Sequence, residues 1–71
     1  MADSKNLVEG ITDEILRVTA IKAEYLSLPN GAGRLAAILM EQAIDNARKA
    51  QASGDIMQII PAFKALQEFE L

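Results

Sequence analysis

Apolar residues recur at three- and four-residue intervals along most of the chain, and two clusters of turn-forming residues cut that rhythm into three segments. In the first, Leu7, Val8, Ile11, Ile15, Val18, Ile21, Tyr25 and Leu26 share one face at 100° per residue, which predicts a helix over about 6–26. Asn6, with Glu9 three residues on, reads as a capping box. Thr12, followed by Asp13 and Glu14, is a competing start, with Ile11 and Leu16 placed as a hydrophobic staple. Gly10 lies just ahead of it, and an interior glycine costs about 1 kcal/mol against alanine. The expectation is one helix that bends or frays before Ile11. The run from Ser27 to Gly33 then breaks the rhythm: Pro29 disfavours helix at Leu28, and Asn30-Gly31 tolerate positive φ.

The second segment predicts a helix over about 33–52. Its apolar arc holds Leu35, Ala36, Leu39, Met40, Ala43, Ile44, Ala47 and Ala50. Arg34, Glu41, Asp45, Arg48 and Lys49 stand opposite, Asp45 and Lys49 forming an i,i+4 pair. Ala36, Ala43 and Ala50 are spaced by seven, with Met40 and Ala47 on the same spacing beside them. A period of seven drifts only ~20° per repeat, so this row stays on one face, and small side chains there let a second helix come close. Ser53-Gly54 ends the segment.

Asp55, with Gln58 at the capping-box position, opens a third helix over about 55–70, striped by Ile56, Ile59, Ile60, Phe63, Leu66 and Phe69. Pro61 lacks the N–H that would bond back to Met57, so this helix is expected to kink or restart there. Short connections make neighbouring helices antiparallel. The fold expected is all-α, a three-helix antiparallel bundle forming a single domain over 1–71.

Composition sharpens this. A chain of 71 residues buries only roughly 60% of its unfolded surface and needs a staple, a metal, a partner or very good packing. It has no cysteine for a disulfide, and no histidine or cysteine of the kind that selects zinc. Hydrophobic residues nevertheless make up 51% of it, almost all aliphatic, which leaves packing and self-association. Ten acidic and seven basic residues give a net charge of −3, against nucleic acid or an anionic membrane as partner. The longest apolar run, Leu35 to Met40, is far short of the ~20 residues of a spanning helix, and a cytoplasmic location is the default.

Candidate chemistry is thin. Ser4, Ser27 and Ser53 sit at helix edges, where capping and turn formation explain them. Asp13 with Glu14, and Glu68 with Glu70, are close in sequence but not stacked on one face. Asn30 to Arg34 opens a helix with two glycines and a base, yet lacks the strand and the glycine–lysine of a phosphate loop. Acyl carriers are similar in size and charge, but carry Asp-Ser-Leu where Ser53-Gly54-Asp55-Ile56 stands here, so the attachment serine is missing. A DNA-reading third helix would need more than its one base, Lys64. Lys22 interrupts the first stripe, either paired across an interface or, the favoured reading, snorkelling to water.

The function expected is therefore a non-enzymatic helical interaction protein with no cofactor, no metal and no catalytic residue. It would be a homo-oligomer, a dimer first, or dock on a protein partner, as small regulators, inhibitors and assembly factors of phages and plasmids do. Candidate packing and interface residues are Ala36, Leu39, Met40, Ala43, Ala47 and Ala50, with Phe69 and the outlying Leu16 and Ile38. The alternative is a bundle that holds an apolar small molecule among Leu39, Met40, Ile60 and Phe63.

Overall fold

A computed structural model describes residues 3–70, with side chains described over 9–70. Three helices follow one another: α1 (Asp3–Leu26), α2 (Arg34–Ser53) and α3 (Ile56–Gln67). No strand occurs among the described residues. They form the expected three-helix bundle, each helix packing on the other two.

α1 begins at Asp3, ahead of both Asn6 and Thr12, and runs unbroken through Gly10. The side chains of Asn6, Leu7 and Val8 lie outside the described residues. Thr12 does not cap a helix: its hydroxyl accepts a hydrogen bond from Gln51 Nε2 on α2 at 2.5 Å. Nor do Ile11 and Leu16 staple, since Ile11 is fully buried and Leu16 points outward. Gly10 is explained by a neighbour. A Cβ there would stand 3.0 Å from Phe63 Cε2, so the missing side chain seats the ring of α3.

The turn after α1 is built as its residues predict. Leu28 is extended (φ −68°, ψ 143°) before Pro29, and a short 3-10 turn spans Pro29–Gly31. Asn30 (φ 61°) and Gly31 (φ 69°) are left-handed. α2 ends on Gly54 (φ 70°), whose N–H donates to the carbonyls of Ala50 and Gln51. Asp55 accepts from the Met57 N–H at 2.9 Å and so caps α3. The capping box is incomplete, because the Asp55 N–H is taken by Ser53 Oγ and Gln58 reaches only the Asp55 carboxylate, at 3.5 Å.

α3 runs through Pro61 as one element rather than restarting. It stops at Gln67, short of the expected residue 70. Around that end Arg17 of α1 donates through Nη2 and Nη1 to the carbonyls of Leu66 (3.0 Å) and Phe69 (2.8 Å). Leu66 is in the last turn of α3, where carbonyls lack helical partners, and its oxygen also accepts from the Phe69 N–H at 3.2 Å.

The core joins Ile11, Ile15, Val18 and Ile21 of α1 to Met40, Ile44, Ala47 and Ala50 of α2 and to Ile59 and Leu66 of α3. Each buried aliphatic of this size contributes roughly 1.5–3 kcal/mol. Five members of the predicted stripes fall outside it: Leu26, Leu35, Leu39, Ile56 and Ile60 are all exposed, whereas Ala37, absent from the predicted arc, is buried. The bundle is elongated, 45 × 20 × 15 Å.

Candidate functional site

The nine candidate packing residues separate into two sets. Met40, Ala47 and Ala50 are buried in the chain's own core, and Ala36, Ala43 and Phe69 are half-buried at its edge. Leu16, Ile38 and Leu39 are exposed, at 65%, 48% and 49%. Leu16 lies on the outer side of α1. The seven-residue alanine row thus lies along the border between the core and an open surface of α2.

That border forms one wall of a groove between α2 and α3, of about 660 Å³. Leu39, Ala43, Asn46, Lys49 and Ala50 line it from α2, and Met57, Gln58, Pro61, Ala62 and Ala65 from α3. Gln42 lines it as well, so alanines (Ala43, Ala50, Ala62 and Ala65) alternate there with polar side chains (Gln42, Asn46, Lys49 and Gln58). Leu39 and Met57 rise at the two ends, Met57 being 78% exposed. The helices run antiparallel across the two-residue connection, so Leu39 shares an end with Ala65, and Lys49 with Met57. The sequence pattern missed this groove, though the spacing of Met57, Pro61, Ala65 and Glu68 by four, four and three marks a second face of α3.

A second apolar surface covers the outer side of the α1–α2 turn. Leu26, Leu28, Leu35 and Ile38 are all exposed there. Next to it Lys22 pairs with Glu41 across the α1–α2 interface. The lysine is neither buried nor free, its side chain keeping 25% of its exposure. The hydrogen bond and charge of Lys22 hold the Glu41 carboxyl below the ordinary glutamate range.

Several polar groups have structural partners. Arg17 binds Glu14 through Nε (3.1 Å) and Nη2 (2.8 Å) besides the two carbonyls of the α3 end, and the Glu14 hydrogen bond raises the already high guanidinium pKa. The Ser27 and Ser53 hydroxyls donate to the carbonyls of Glu24 and Ala50, both at 2.7 Å. Arg34 folds back over Gly31, its Nη2 3.3 Å from where a Cβ would be. Asp45 meets Arg48 at 4.0 Å rather than the expected Lys49. The described Asp and Glu side chains gather into no group of three or more that could hold a metal ion. Of the four residues of the small-molecule alternative, Ile60 and Phe63 line a shallow depression with Lys64 and Gln67, Leu39 lines the α2–α3 groove and Met40 is buried in the core. No described helix is long and apolar enough to cross a membrane.

No protein-family model, curated protein or solved structure matches the chain.

Proposed function

We propose that this chain is a helical interaction protein without catalytic activity, which works by associating with a second copy of itself. The observation that carries this reading is the amount of large aliphatic surface left outside the bundle. Leu16, Leu26, Leu28, Leu35, Ile38, Leu39, Ile56, Met57 and Ile60 are each at least 40% exposed. Singly exposed aliphatics are ordinary, but contiguous ones mark a binding surface. Leu35, Ile38 and Leu39 are neighbours on α2 by the i,i+3 and i,i+4 rule, so part of this surface is contiguous.

Size supports the same reading. A compact monomer of 7.7 kDa exposes about 4,300 Å², whereas this chain exposes 4817 Å². Its radius of gyration is 12.9 Å, against about 11 Å for a compact domain of this length. Light scattering across a micromolar concentration series tests the proposal, with a mass of two chains expected. A mass of one chain at every concentration overturns it.

A further inference from the structure

We infer that Asn30 is a site of spontaneous covalent modification: its side-chain amide is lost through the Gly31 nitrogen when the α1–α2 turn opens, leaving aspartate or isoaspartate. This goes beyond the self-association proposed above and does not depend on it.

An asparagine followed by glycine can cyclise, because no side chain on the second residue hinders the approach of its nitrogen. The Gly31 nitrogen attacks Asn30 Cγ, the Cγ–Nδ2 bond breaks, and the proton from Gly31 ends on the departing ammonia. Water then opens the cyclic imide at one of its two carbonyls. Opening at Cγ gives aspartate, and opening at the backbone carbonyl gives isoaspartate, with the main chain rerouted through Cγ. Water is the only co-reactant. Of the three asparagines, Asn6 precedes Leu7, Asn46 precedes Ala47, and Asn30 alone precedes glycine. Asn30 and Gly31 are both exposed. The Asn30 side-chain amide makes no hydrogen bond to another described residue.

The closed turn holds this reaction back. Cyclisation needs the Gly31 nitrogen brought round to the side of the Asn30 Cβ. At φ 61° and ψ 23° that nitrogen points nearly the opposite way, so the backbone must rotate before the bond can form. None of the residues 29–31 is buried, which places the turn among segments that open while the rest stays folded.

The two products differ in what the turn can accommodate. Aspartate keeps the chain length, and its charge stands ahead of the positive end of α2. Arg34, which folds over Gly31 and has no ion pair among the described residues, is close by. Isoaspartate instead adds a methylene to the main chain. Gly33, three residues on, packs against the Tyr25 backbone, and a lengthened turn displaces that contact.

The test is incubation of the full chain in mildly alkaline buffer, with peptide mass mapping over time and isoaspartate detected by enzymatic methylation. The mass gain of exchanging NH2 for OH is expected at Asn30 and not at Asn46. It should appear roughly tenfold or more slowly than in the same chain unfolded in urea. Urea well below the unfolding midpoint should leave the rate nearly unchanged, because a local opening exposes little surface. Asn30→Gln should remove the mass gain at that position. The separated isoaspartyl chain is expected to exchange the amides of 37–40 faster than the parent, and Asn30→Asp is not. An Asn30 that converts only in urea, or a folded-state rate that tracks global unfolding, overturns the turn-opening route. Equal rates in the folded and unfolded chain overturn the restraint by the turn. Parent-like exchange in the isoaspartyl chain overturns the effect assigned to that product.

Discussion

Gly33 occupies a position where a side chain has no room. A Cβ there would lie 2.2 Å from the Tyr25 carbonyl oxygen, so α2 starts in direct backbone contact with the end of α1. Backbone atoms cannot swing aside as a side-chain tip can. Gly33→Ala is therefore expected to cost about 3 kcal/mol, the upper end of overpacking, read as a drop in urea midpoint at unchanged slope. The sequence marks Gly33 as turn material but not as a contact, because the contact is with backbone eight positions earlier in the chain. Asn30 and Gly54 were legible outright. Their left-handed conformations follow from local chemistry, which a sequence carries in full.

Between elements, polar side chains set where helices end and how they register. Arg17 ties the last carbonyls of α3 to α1, and nothing near Arg17 in sequence announces a partner some fifty positions away. The predicted end of α3, at residue 70, lies past the observed one at Gln67. Arg17→Met keeps the apolar stem and removes the donors. It is expected to destabilise by about 1–3 kcal/mol and to raise hydrogen exchange selectively in the amides of 66–70. The Lys22–Glu41 pair makes a pH-dependent contribution. Glu41 has a lowered pKa in the folded state, so its stabilisation is present above the ordinary value near ~4.3. It is lost as pH falls through the lower, folded value. A stability–pH profile of Glu41→Gln should lack that part of the acid-side fall seen in the parent. Equal slopes would show that the pair contributes nothing.

For the whole molecule, periodicity gave three helices and most of the core, because burial of one face is what creates the pattern. It could not say how wide an arc the neighbours would cover. Leu35 and Leu39 lie on the same arc as Met40 and Ile44, yet one pair is outside and the other inside. Ile44→Ala is expected to cost 2–5 kcal/mol, as a cavity at a position 1% exposed. Leu35→Ser is expected to stay within about 0.5 kcal/mol in thermal melts of the monomer. The candidate site was legible only in part, since the alanine row was visible while its role as a groove edge needed α3 beside it.

α3 has 12 residues against 24 in α1, so it spans about 18 Å of a helix about 36 Å long. Arg17 fixes its end near the middle of α1. Beyond that point α1 and α2 have only each other and the short tail, where the Tyr25 hydroxyl reaches the Glu70 carbonyl at 3.4 Å. Opening the chain at the Pro29 turn therefore breaks one helix–helix contact, and opening it at Gly54 breaks the layers on both sides. Amide protection should accordingly fall along α2 from Ala47 towards Arg34, giving one helix a firm end and a loose one.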